Sequence, residues 1–135
     1  MHILIIDAQG GGIGKALVGA VLHELPDADI TAVGANTMAT AAMLKAGAHR
    51  GATGENAVIT GCRKADLIMG PIGIVIADSL LGEITPAMAC AVGQAAAKRI
   101  LIPVNHCDNI IAGVPDLNLK KLVDWAAAEA NRLCS

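Results

Sequence analysis

The chain has 135 residues, of which 54% are hydrophobic and 16% are charged, so a disordered tail is excluded and one domain, residues 1–135, is predicted. It has no Tyr, no Phe and one Trp, which excludes a catalytic tyrosine and the aromatic surfaces that stack single-stranded nucleic acid. The formal net charge is −2 and the basic residues form no stripe, so no nucleic acid partner is expected.

The sequence also argues against a membrane partner. Its longest apolar stretch, residues 67–81, is too short for a membrane span and contains Pro71 and Asp78. The first residues lack the basic flank of a signal peptide. Four cysteines lie far apart without a C-x-x-C pair, which is typical of reduced thiols. We therefore expect a cytoplasmic protein.

Short apolar runs alternate with longer amphipathic ones, which is typical of a parallel sheet covered by helices. Strands are predicted at 2–6, 29–34, 67–69 and 99–105, a short strand or a loop at 48–54, and a further candidate strand at 109–114. Helices are predicted at 13–25, from Asn36 or Thr37 to 46, and at 55–64, 85–97 and 117–133. The pattern predicts an α/β fold, a three-layer, doubly wound, mainly parallel sheet of five or six strands of the Rossmann-like type.

The predicted helix at 85–97 has a clear beginning. Thr85 supplies a capping hydroxyl and Pro86 occupies the first helical position. The residues that follow are almost wholly small and apolar, so we expect this helix to be buried on most sides.

The most informative segment is a glycine loop between the first strand and the first helix. In such folds this loop binds phosphate, because backbone N–H groups and the helix N-terminus face the ligand and glycine permits close approach. Tight reversal of the chain is the alternative reason for glycine here. The candidate binding residues are Asp7, Gln9, Gly10, Gly11, Gly12, Ile13, Gly14 and Lys15.

The loop matches no phosphate motif in full. The P-loop pattern G-x-x-x-x-G-K-[ST] matches Gly14 and Lys15, but Gln9 replaces its first glycine and Ala16 its hydroxyl, so an NTPase is the last-ranked hypothesis. The dinucleotide pattern G-x-G-x-x-G fits Gly10 and Gly12 but places Lys15 at its third glycine. The T-G-x-x-x-G-I-G pattern of short-chain dehydrogenases is similar only at its Gly-Ile-Gly end. The cofactor is therefore left open, with a nucleotide or NAD(P) as the candidates.

Polar residues near the loop allow two interpretations each. Asp7 either caps loop amides or contacts a ribose or metal, and capping is favoured. Lys15 lies in the first helical turn, where it either meets a bound anion or is simply solvated. After the second strand, Asn36 and Thr37 either contact a ligand hydroxyl or cap a helix.

A second candidate region follows the central strand at 67–69. Gly70, Pro71 and Gly73 would lie on the same sheet edge as the glycine loop, or they form a plain turn. Glu55 and Asn56 begin a helix and are weaker candidates for the pocket. His106 and Cys107 are adjacent on one strand end, which disfavours a Cys–His pair, and no metal site is predicted.

The combined motifs resemble a family of short bacterial proteins catalogued only as a domain of unknown function. The resemblance covers nearly the whole chain and lies in residues 7–15, 42–48, 51–56, 70–74, 81–88 and 100–103. It implies a stand-alone cytoplasmic protein and brings no established activity or catalytic residue.

Two functions follow as expectations. The first is binding of a nucleotide, dinucleotide or other phosphorylated small ligand at the glycine loop, with enzymatic activity left open. The second is a homodimer or higher homo-oligomer without catalytic activity, an interaction or regulatory subunit in which the helix at 85–97 packs against a second copy.

Overall fold

The computed structural model describes residues 1–104, 109–114 and 118–135. Five parallel strands form one sheet in the order β3-β2-β1-β4-β5. The strands are β1 (His2–Asp7), β2 (Asp29–Gly34), β3 (Arg50–Thr53), β4 (Leu67–Pro71) and β5 (Lys98–Ile102). The helices are α1 (Gly12–Glu24), α2 (Thr37–Lys45), α3 (Glu55–Lys64), α4 (Pro86–Gln94) and α5 (Leu119–Cys134), with a 3₁₀ turn at Ile72–Val75.

Alternate residues of β1 point to the two faces of the sheet. Ile3 and Ile5 belong to a core formed with α1, α2 and α5, whereas Leu4 and Ile6 belong to a core formed with α3 and α4. All four side chains are fully buried, as expected for a central parallel strand covered on both faces. The three-layer, doubly wound α/β architecture is therefore confirmed.

The strand order reverses beside β1. The chain runs outward from β1 through β2 to β3, then returns to β4 on the other side of β1, where Ile5 pairs with both Ala32 and Met69. In doubly wound sheets, ligands bind at the carboxyl ends of the two strands that flank such a reversal. The topology therefore predicts a ligand site at the loops that follow β1 and β4.

Three strand predictions were wrong. The strand predicted at 99–105 ends at Ile102, where the Val104 amide bonds back to the Ile102 carbonyl. The candidate strand at 109–114 is instead a turn, because Gly113 adopts a left-handed φ of 78° and the Val114 amide bonds back to Ile111. The central strand extends two residues beyond 69 and includes Gly70 and Pro71, which pair with β5. Only glycine fits at position 70, because a Cβ there would overlap the carbonyl oxygen of Ile6. The ambiguous segment 48–54 contains β3.

The start of the helix predicted at 85–97 was correct. Its predicted end at 97 and its predicted burial on most sides were wrong. Thr85 caps α4 as expected, and Pro86 is its first residue. The helix ends at Gln94, where the guanidinium of Arg99 donates to the carbonyls of Val92 and Ala95. Most of α4 is not buried: Met88, Ala89 and Val92 face the core, while Pro86, Ala87, Cys90, Gly93 and Gln94 are exposed.

Within the described ranges, none of the helices combines the length and apolar character needed to cross a bilayer.

Candidate functional site

The turn at Ala8–Gly11 joins β1 to α1. The Gly11 amide donates to the carbonyl of Ala8 at 3.0 Å, and Gly11, with φ 75°, is the N-cap of α1. A Cβ on Gly11 would lie 2.8 Å from the Cα of Ala39 in α2. Gly11 is therefore required both by its left-handed backbone and by packing against the neighbouring helix.

Asp7 caps the loop and the first turn of α1. Its Oδ1 accepts from the Ala8 amide at 2.8 Å and its Oδ2 from the Gly14 amide at 2.6 Å. The residue is only 4% exposed, and burial raises the pKa of its carboxyl, an effect that the bonds from Gly14 and Ala8 partly offset. The capping interpretation of Asp7 is confirmed by these hydrogen bonds.

An open cleft of about 260 Å³ lies in front of the glycine loop, at the carboxyl ends of β1 and β4. Ideal Cβ positions on Gly10 and Gly12 meet no atom within 4 Å, so a ligand has room beside both residues. No residue in the described part of the chain accepts a hydrogen bond from their amides. The lining residues are Asp7, Ala8, Gln9, Gly10, Gly11, Gly12, Ile13, Pro71, Leu80 and Leu119.

The segment 78–83, which we call the strap, runs from the end of β4 toward the end of β2. Asp78, Leu80 and Leu81 all have φ near 60°, a conformation that is uncommon for residues with side chains. Its last residue, Glu83, accepts from the Gln9 amide at 3.1 Å through Oε1 and from the Asn36 side chain at 2.7 Å through Oε2. The strap therefore places a carboxylate beside the glycine loop.

Asn36 is a structural cap. Its Oδ1 accepts from the Ala39 amide at 2.9 Å, and its Nδ2 donates to the Gln9 carbonyl at 2.9 Å as well as to Glu83. Thr37 is the first residue of α2, is exposed and does not line the cleft. The helix-capping interpretation is thus confirmed for Asn36.

The other predicted site residues lie in three places: the cleft, the interior and the exposed surface of α1. Pro71 lines the cleft, whereas Gly70 is enclosed within the sheet and Gly73 is buried in the 3₁₀ turn, so neither glycine lines it. Gly14 is also buried, since a Cβ there would lie 2.5 Å from Met43 Sδ. Lys15 is exposed on α1, outside the cleft lining.

Glu55 and Asn56, the weaker candidates that the structure describes, do not line the cleft. Glu55 accepts a hydrogen bond of 2.6 Å from the Thr85 hydroxyl, which ties α3 to the start of α4. His106 and Cys107 lie outside the described residues. In the ranges that the structure covers, no three His, Cys, Asp or Glu side chains are grouped closely enough to hold a metal ion.

Sequence reasoning missed Glu83 as a member of the site. Glu83 and Gln9 are 74 residues apart, and no local pattern around Glu83 indicates that its carboxylate meets the loop after β1. The only signal was indirect, because the family resemblance includes the segment 81–88.

Fold and site together define a parallel α/β protein with an open cleft where its strand order reverses. The chain belongs to the family described as a domain of unknown function, DUF3842, whose model matches residues 2–135. Among curated proteins, no sequence matches it.

One solved structure that resembles this chain is a dodecameric FMN-dependent UbiX-like decarboxylase from Escherichia coli O157:H7. The TM-score is 0.48 at 20% sequence identity, over 94% of this chain and 75% of that chain. FMN dependence and dodecameric assembly are properties of that protein.

Proposed function

We propose that the cleft in front of the glycine loop binds the phosphate group of a nucleotide or another small phosphorylated molecule. The observation that carries this proposal is the open space beside Gly10 and Gly12, whose amides have no acceptor within the described residues. The partial positive charge at the N-terminus of α1 favours an anion there. The position at the strand-order reversal matches where ligands bind in this fold class.

The size of the cleft favours a small ligand. Its volume of about 260 Å³ is below the range of roughly 300–1,000 Å³ that is usual for pockets enclosing a whole drug-sized ligand. A phosphate with a small attached group fits this space, with the remainder of the ligand outside it.

The strap favours a mononucleotide or a phosphorylated metabolite over NAD(P). A dinucleotide in this fold class extends from the loop toward the end of β2, where an acidic residue holds its ribose. Here Glu83 bonds to Gln9 and Asn36 at that place. NAD(P) would therefore require the strap to move, whereas a ligand confined to the cleft would not.

Thermal unfolding with added ligands tests the proposal. The probes are inorganic phosphate, pyrophosphate, AMP, ADP, ATP, FMN, NAD and NADP. A ligand at 100 times its Kd stabilises the native state by about 2.7 kcal/mol, which corresponds to a rise in Tm of roughly 5–10 °C. The absence of a shift with every probe would contradict the proposal.

A pair of glycine variants locates the site. Gly12→Val places a side chain in the open space of the cleft, whereas Gly19→Val places the same side chain on α1 away from the cleft. Both variants should fold, because a Cβ at either position meets no atom within 4 Å. We expect Gly12→Val to abolish the shift and Gly19→Val to retain it. Equal behaviour of the two variants would place the ligand elsewhere.

A homo-oligomeric role without catalysis is a second candidate function, supported by the exposed face of α4. Ala87, Cys90 and Gly93 are exposed and small, so another helix could approach this face closely. If α4 mediates assembly, Cys90→Arg reduces the number of chains per particle in light scattering. An unchanged particle mass would exclude α4 as the interface.

A further inference from the structure

In the part of the chain that the structure describes, the outer edge of β5 carries backbone hydrogen-bonding groups without a partner. The strand pairs with β4 on one side, and the Lys98 amide donates to the Asp66 carbonyl at 3.3 Å. In a parallel strand, every second residue directs its N–H and C=O groups to the same neighbouring strand. Since Lys98 bonds toward β4, the N–H and C=O groups of Arg99 and Leu101 point away from β4. No other strand in the described ranges pairs with this edge.

A groove of about 510 Å³ runs beside this edge, between β5 and α5. Its wall includes Trp125, the only aromatic residue of the chain, whose surface is 64% exposed. Exposed tryptophan is enriched among the residues that dominate protein interfaces. A free strand edge and an exposed tryptophan therefore lie on one surface.

We propose that this surface, β5 together with Trp125, pairs with the same surface of a second copy of this chain. A two-fold axis through Ile100 would place Arg99 opposite Leu101 of the other copy in an antiparallel arrangement. The outward groups of those two residues then form four hydrogen bonds across the axis. The two sheets become one sheet of ten strands, and the α5 helices lie on the same face with Trp125 between them.

The charges on this surface fit a second copy. In the two-fold register Lys98 lies opposite Ile102 and Arg99 opposite Leu101, so no like charges face each other directly. The groove wall contains both signs, with Arg132 bonded to Glu129, so the surface does not select a strongly acidic or strongly basic peptide. Pro103, which has no N–H, limits the paired segment to the residues of β5.

The other edge of the sheet, at β3, is also unpaired in the described ranges, but it is shorter and has no exposed tryptophan beside it. β3 has four residues, and Arg50 at its start is bonded to Asp29 of the neighbouring strand. The chain has no Tyr and no Phe, and its one Trp lies beside β5. β5 is therefore the edge that we assign to the interface.

Intrinsic fluorescence gives a direct test, because all emission excited at 295 nm comes from Trp125. We expect light scattering to show two chains per particle, or a multiple of two, at micromolar concentration. We expect the emission to move to longer wavelength on dilution, as Trp125 becomes exposed to water. One chain per particle at all concentrations, or emission that stays constant while the particle dissociates, would overturn the proposal.

Two variants identify the edge itself. Trp125→Glu should weaken self-association at least tenfold, whereas Met38→Glu, at a similarly exposed apolar residue on α2, should leave it unchanged. Leu101→Pro removes an outward N–H without removing a bond to β4 and should also weaken it. Circular dichroism verifies that each variant is folded. Association that survives Trp125→Glu but is lost in Cys90→Arg would overturn the proposal and assign the interface to α4.

Discussion

Asp7 and Gly14 connect the end of the central strand to the first turn of α1. The Asp7 Oδ2 accepts a 2.6 Å hydrogen bond from the Gly14 amide, and a Cβ on Gly14 would lie 2.8 Å from the Asp7 Cβ. The carboxylate thus takes the place of an external anion at one amide of the helix N-terminus. Gly10 and Gly12 line the cleft, and their amides have no acceptor in the described residues.

Gly14→Ala should destabilise the protein by about 1–3 kcal/mol, because the added Cβ overlaps both Met43 Sδ and the Asp7 Cβ. Gly19→Ala in the same helix should stabilise it by roughly 0.5–1 kcal/mol, because its Cβ meets open space and alanine favours the helix. Urea unfolding of the two variants measures the difference. Equal changes in the free energy of unfolding would contradict the close contact at Gly14.

The pKa of Asp7 is raised in the folded protein, chiefly by burial. Between the ordinary pKa of 3.8 and the higher native pKa, the folded protein holds a proton that the unfolded chain releases. The stability contributed by this group is therefore fully present below pH 3.8, falls as the pH rises through the native pKa and is constant above it. Asp7→Asn lacks this titration, so wild-type stability relative to the variant should fall with pH over that window.

Urea unfolding of wild type and Asp7→Asn from pH 3.5 to 7 checks this dependence, since all other carboxyl groups are common to both proteins and their contributions cancel. If the free energy of unfolding of the wild type minus that of Asp7→Asn rises with pH, hydrogen bonding lowers the pKa of Asp7 more than burial raises it.

Glu83→Gln should strengthen phosphate binding at the glycine loop, since it removes a negative charge bonded to the Gln9 amide. At distances of several ångströms near a protein surface, one charge changes affinity by roughly three- to tenfold. Titration calorimetry with pyrophosphate measures the effect. Glu24→Gln, at the other end of α1, controls for the change in net charge and should leave affinity unchanged. Weaker binding by Glu83→Gln would indicate that Glu83 contacts the ligand favourably.

Thr85→Ala should destabilise the protein by about 1–2 kcal/mol through loss of a helix cap. The hydroxyl accepts from the Met88 amide at 3.1 Å and donates to Glu55 at 2.6 Å, so two contacts disappear together. Thr85→Ser keeps the hydroxyl and should retain most of the stability. Chemical denaturation distinguishes them, and an equal loss in both variants would assign the effect to the methyl group.

The sequence alone determined the alternation of strands and helices from β1 to β5, the parallel sheet, the position of the glycines after β1 and the start of α4. These features depend on local information: the period of apolar residues, a capping hydroxyl before proline, and glycines between a strand and a helix. The carboxylate of Asp7 could be assigned to capping for the same reason, since its partners are within seven residues.

Only the tertiary structure decided which glycines face open space and which are packed. Gly12 and Gly14 look alike in the sequence, yet a Cβ on the second meets Met43 from α2 and a Cβ on the first meets nothing. The end of α4, set by Arg99, and the position of Glu83 beside Gln9 likewise depend on residues outside the local segment. Such contacts form only when the sheet brings separate loops to one edge, so no local pattern can specify them.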